Sequence, residues 1–184
     1  MSGWPDAHRR HSTTILSYGP MALSPMCCSH SLSGSTFSSI TPGVAGRLMV
    51  VPFSLWSPVL LNRWFWCNGA TASGNVDVGV YTQDGVLLAN AGSTAQAGTT
   101  AVQQVAASSP MLLVPDSYYL GISISSATAT FQGGTSGFAS IQEMGLAAQT
   151  ASAGPPCPAT FSLISLAGSS SPIPVFGFSE RSLI

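Results

Sequence analysis

Two runs of strict alternation constrain the chain more than anything else in it. In Asn75–Tyr81, Val76, Val78 and Val80 fall on one side and Asp77, Gly79 and Tyr81 on the other. In Tyr118–Ile124, Tyr118, Leu120, Ile122 and Ile124 alternate with Tyr119, Gly121 and Ser123. A period of two is what a strand with one buried face requires, because successive side chains leave opposite sides of a pleated backbone. Asp84-Gly85 follows the first run. That dipeptide adopts positive φ at both central positions of a tight hairpin, which predicts that Asn75 to Thr82 pairs with Val86 to Ala91. Leu113-Val114-Pro115-Asp116-Ser117-Tyr118 leads into the second run with the layout of a tyrosine corner. An apolar residue anchors such a turn, Pro115 fixes φ, and the tyrosine hydroxyl bonds back to upstream backbone. A tyrosine that only fills the core at a strand start is the plainer alternative.

The same pattern extends to either side. Leu48–Phe53 and Val59–Cys67 read as strands, the second with Val59, Leu61, Arg63, Phe65 and Cys67 on one face and Leu60, Asn62, Trp64 and Trp66 on the other. Both of its faces are largely apolar, which predicts a central strand covered twice. Gly92 to Thr100 reads as a surface connection, Thr100–Ala106 as a polar edge strand, and Met111–Val114 as a strand leading into the corner. Thr128–Gln132 reads as a hairpin partner returning across Ser125–Ala127, and Phe138–Gln142 as a short ambiguous element. Residues 145–158 read as a long exposed connection, Thr160–Leu166 as a strand, and Ile173–Phe178, with Pro172 and Pro174, as an edge strand. About eight to ten strands with no sustained helical period predict an all-β fold, an antiparallel β-sandwich or jelly roll.

Residues 1–40 differ from the rest. His8, Arg9, Arg10 and His11 precede a stretch of Ser, Thr, Gly and Pro with isolated apolar residues. This is expected to be an extended N-terminal arm lying on a partner subunit, with the sandwich domain at 41–184. Arg9-Arg10 suggests a twin-arginine export signal, but Gly19, Pro20 and Pro25 interrupt the apolar region such a signal needs. Pro52, Pro58, Asn62 and Arg63 likewise break the longest apolar stretch, between Leu48 and Trp66, so no membrane span is expected.

Charge decides which partners suit the chain. Of 184 residues only 6% are charged, lysine is absent, and the formal net charge is −1. Such a surface offers no basic field for nucleic acid or an anionic membrane. With 45% hydrophobic residues beside so few charges, the chain suits an assembly whose neighbours cover it.

Candidate chemistry is sparse. The carboxylates are Asp6, Asp77, Asp84, Asp116, Glu143 and Glu180. Asp84 and Asp116 are accounted for by turns. Asp77, mid-strand on the face opposite the valines, can bind a sugar hydroxyl, pair with an arginine such as Arg63, or stand solvated. A glycosidase needs two carboxylates at a set separation, and no spacing nominates a second. His8, His11 and His30 with Cys27 and Cys28 make only a weak zinc pattern. Cys27, Cys28, Cys67 and Cys157 show no paired spacing and are expected as free, buried thiols. Trp56, Trp64, Phe65 and Trp66 gather around one strand, where core packing is the simpler account and an exposed sugar-stacking groove the alternative. No catalytic, cofactor-binding or metal site is therefore expected, and the chain reads as non-enzymatic.

The stretch from Trp66 to Ile124 joins an aromatic strand, a Gly-rich turn, the "VDVGVY" strand, a hairpin, a "GST" loop and "LVPDSYYLG". It resembles the β-sandwich modules of tailed-bacteriophage virion structural proteins, although Asp116 stands where those modules usually carry glycine. The resemblance covers about a third of the chain and brings no catalytic residues. It implies a virion component, with a capsid decoration or cement protein favoured. Such a protein would bind other virion proteins, the major capsid protein above all, and form a homo-oligomer, for which a trimer is natural. A tail or fibre component that binds host glycans is the alternative, and a free lectin-like module a third.

Overall fold

The computed structural model describes residues 38–41, 45–133, 154–162 and 174–182, with residue 172 and the backbone of three short strands at 26–28, 148–151 and 167–168. These residues form thirteen strands: β1 Met26–Cys28, β2 Ser38–Ile40, β3 Arg47–Ser54, β4 Val59–Cys67, β5 Asn75–Tyr81, β6 Leu87–Asn90, β7 Thr94–Ala95, β8 Val102–Leu113, β9 Ser117–Ile124, β10 Phe131–Gly133, β11 Ala148–Ala151, β12 Ala167–Gly168 and β13 Phe176–Ser179. No helix among them is long and apolar enough to cross a membrane.

The protein is an all-β sandwich. One sheet runs β1-β13-β4-β8. The other runs β12-β11-β3-β9-β5-β6, with β7 on the start of β5, while β10 and β2 make a separate ladder. The two alternating runs of the sequence lie side by side as β5 and β9, with Val76 opposite Ile124, Val78 opposite Ile122 and Val80 opposite Leu120. Their inward residues meet Met49, Val51 and Phe53 of β3 and, from the facing sheet, Leu61, Trp64 and Trp66 of β4 and Phe176 and Phe178 of β13. Burying each such side chain is worth about 1.5–3 kcal/mol.

The tyrosine corner is present. The Tyr118 hydroxyl donates to the Val114 carbonyl at 2.9 Å, Leu113 is buried, and the Tyr118 ring stacks on Phe53 with centroids 5.5 Å apart. The β5–β6 hairpin is present too, but its turn is a residue longer than expected. Gly85 N–H donates to Thr82 O at 3.0 Å and Thr82 N–H to Val86 O at 2.9 Å, and only Gly85 has positive φ, 78°. This is a three-residue loop closed by a left-handed glycine, which accounts for the register shift between Val80 and Tyr81.

Strand β4 departs from the expected faces. The register shifts between Leu61 and Arg63, so parity reverses at Asn62. Val59 and Leu61 therefore join Trp64 and Trp66 in the inter-sheet core, while Phe65 and Cys67 turn to a small cluster with Val175 on the other side. A bulge inserts residues into one strand only; here Ala107–Pro110 of β8 face Asn62 alone. The two expected strands at Thr100–Ala106 and Met111–Val114 are thus one edge strand, with Pro110 in its irregular part. Pro52 is accommodated similarly, since β11 pairs only with Arg47–Val50 of β3.

Four other expectations are corrected. Thr128–Gln132 does not return on β9; β10 pairs with β2, and Phe131 bridges Asn68. Ile173–Phe178 is not an edge, because β13 lies between β1 and β4. Residues 145–158 are not an exposed connection: Ala148–Ala151 pairs with β3, and Gly154 and Cys157 are buried. Of the strand expected at Thr160–Leu166, Thr160 makes a single bridge to Val86 and the next two residues are irregular; the rest, like Phe138–Gln142, lies outside the described residues. Within the stretch expected as an arm, β1 pairs with β13 and β2 with β10 of the same chain; the remainder also lies outside.

Candidate functional site

The densest group of polar and titratable side chains sits on the outer face of the seven-stranded sheet. Alternation carries Asp77, Gly79 and Tyr81 to that face, as the sequence predicts, but the face is not solvated. Gly154–Ser162 crosses it as a strap, and Asp77 is fully buried. Its Oδ2 accepts from Asn90 Nδ2 at 2.6 Å and from the Cys157 backbone N–H at 2.6 Å. Its Oδ1 has no hydrogen-bond partner. Arg63, offered by the sequence as a partner, is on the other sheet in β4.

Further contacts hold the strap. Tyr81 donates its hydroxyl to Pro158 O at 3.1 Å, Leu87 N–H donates to Ala159 O, and Phe161 N–H donates to Gly85 O, both at 2.9 Å. The Phe161 ring meets Tyr81 and Tyr119 edge-on, with centroids 5.0 and 5.4 Å away. Glycine makes room for this: a Cβ on Gly121 would lie 2.9 Å from the Tyr81 ring. With Leu48 and Val50 these residues form a second apolar cluster, separate from the inter-sheet core.

Burial dominates the electrostatics here. It pushes the Tyr81 hydroxyl and the Cys157 thiol well above their ordinary values, and the neighbouring Asp77 raises both further. Burial alone pushes the Cys67 thiol up to about 11. Neutral thiols are poor nucleophiles and poor metal ligands, so Cys157 as held serves packing and weak hydrogen bonding, with Sγ–H to Asp77 O at 3.6 Å and further bonds to the Tyr81 side chain and the Ser123 backbone. Cys67 and Cys157 are free, as expected. Among the described residues no group of three His, Cys, Asp or Glu is placed to hold a metal ion. His8, His11 and His30 and the side chains of Cys27 and Cys28 lie outside them.

The tryptophans divide. Trp64 and Trp66 are fully buried, so the exposed groove considered for them does not exist. Their indole N–H groups have no acceptor. Trp56 is 82% exposed. It lies between Leu55, whose N–H donates to Asp116 O at 2.9 Å, and Val59, which pairs with Leu113. Backbone pairing thus brings the Trp56 segment to the corner where β8 ends, and Leu112 and Val114 at that corner are exposed as well. Asp116 is spent on the turn, its Oδ1 accepting from Ser117 N–H at 2.7 Å and from Gln83 Nε2 at 2.9 Å.

Sequence reasoning located Asp77 but not its partners. The available signal was the apolar content of the supposed loop, Cys157 and Phe161, opposite an outer sheet face kept low by Gly79 and Gly121. Comparison of the chain with protein-family models, with curated proteins and with solved structures gives no significant match.

Proposed function

We propose that this chain is a non-enzymatic structural component of a tailed-bacteriophage particle, a decoration or cement protein seated on the capsid. The residues ahead of β1 supply its grip on neighbouring subunits. The observation that carries this reading is the apolar corner of Trp56, Leu112 and Val114 on a chain with almost no charge. A large aromatic left 82% exposed at a corner fixed by backbone hydrogen bonds has the character of an anchor that a partner surface buries. The resemblance of Trp66–Ile124 to virion modules supplies the kind of partner, the major capsid protein, with further copies of this chain beside it.

Adding the purified protein to particles that lack it tests this. The expected result is saturable binding at hundreds of copies per particle, weakened at least tenfold by Trp56→Ala. Binding at a handful of copies confined to the tail would overturn the capsid assignment. A second reading draws on the same residue, because an exposed indole also stacks against sugar rings: a tail component that binds host glycans. Glycan-array binding that is abolished by Trp56→Ala would favour it.

A further inference from the structure

We propose that Gly154–Ser162 is a strap that opens as a unit from the outer face of the seven-stranded sheet while the sandwich stays folded, with the Asp77 carboxylate as its latch. Three observations carry this. The described strap residues contribute nothing to the inter-sheet core: Cys157 and Phe161 belong to the separate cluster with Leu48, Val50 and Tyr81. The strap also joins no strand ladder, making one isolated bridge, Thr160 to Val86. Finally, its shortest attachment is a bond from Cys157 N–H to a buried carboxylate at 2.6 Å, while the other bonds described between strap and sheet are 2.9 Å or longer. A segment with its own small cluster and no place in a strand ladder is the kind that opens below the free energy of global unfolding. A short bond between a buried amide and a buried carboxylate is the one whose loss matters most.

Asp77 is placed to govern that opening. The same Oδ2 that accepts from the strap accepts from Asn90 at the end of β6, so one carboxylate fastens strap and hairpin together. Opening uncovers Leu48, Val50, Tyr81 and Tyr119 and delivers the Cys157 thiol to solvent. Closed, that thiol is inert; open, it reacts as an ordinary cysteine, which makes it a reporter of the strap.

The test is the alkylation rate of Cys157 in the full chain, resolved from the other cysteines by peptide mass spectrometry at increasing urea. The latch predicts labelling well below the urea range of global unfolding, with a shallower urea dependence than the loss of tryptophan fluorescence. Asp77→Asn, which keeps the shape and replaces the carboxylate by an amide, is expected to raise the rate about tenfold, the worth of weakening one buried hydrogen bond. Ile122→Val weakens the inter-sheet core without touching the strap and should leave labelling in the absence of urea unchanged. Cys157 labelling that tracks global unfolding in slope and midpoint overturns the proposal. So does an Asp77→Asn rate equal to that of the unaltered protein, or an Ile122→Val rate that rises in step with lost global stability.

Discussion

The carboxylate of Asp77 and the backbone amide of Cys157, eighty positions apart in the chain, meet at 2.6 Å under full burial. Replacing Asp77 by Ala would leave that buried amide and the half-buried Asn90 side chain without their acceptor. The expected loss is about 2–4 kcal/mol, read from the urea midpoint. Asp77→Asn, which retains an acceptor, is expected to cost about half as much.

The tyrosine corner gives a narrower test. Tyr118→Phe removes only the hydroxyl that donates to Val114 O at 2.9 Å and leaves the ring on Phe53. Chemical denaturation should show a loss of about 1 kcal/mol with an unchanged m-value.

Two glycines with nearly equal φ separate backbone strain from steric exclusion. Gly92, at φ 79°, has nothing within 4 Å of an added Cβ, whereas a Cβ at Gly85, φ 78°, would meet Phe161 O at 2.3 Å. Gly92→Ala should cost about 1 kcal/mol and Gly85→Ala at least twice that. Thermal melts of the two variants, taken side by side, provide the comparison.

Alkaline pH should destabilise the fold. The Cys67 thiol rises from 9.0 to about 11 through burial, and Cys157 and Tyr81 rise as well. A raised value means the folded state keeps its proton while the unfolded chain gives it up. The stabilising contribution of Cys67 is therefore complete below pH 9 and is lost as pH rises through about 11. Melting temperatures recorded from pH 7 to 11 should fall above pH 9, and Cys67→Ala should flatten part of that fall.

Tryptophan position decides the last contrast. Trp64→Ala empties a fully buried site and should cost about 3–5 kcal/mol, whereas Trp56→Ala, at an 82% exposed position, should change stability by less than about 0.5 kcal/mol. Circular-dichroism melts of both variants check this independently of any binding assay.

Much of the sandwich was legible because strand parity is local. Val76, Val78 and Val80 had to share a face, as did Leu120, Ile122 and Ile124, whatever lay opposite. The corner at Tyr118 and the burial of Trp64 and Trp66 follow from the same local logic. Parity failed at Asn62, where β4 loses register with β8 across Ala107–Pro110, more than forty positions away. No window around β4 contains that information.

The sequence by itself determined an all-β chain, the inward residues of β5 and β9, and a composition with only 6% charged residues. Tertiary structure alone decided that Asp77 is buried, that Gly154–Ser162 covers it, and that among the described tryptophans Trp56 is the one left outside. The reason is physical: backbone alternation tells a side chain which way to point, but what covers the face it points to depends on segments joined only when the chain closes on itself.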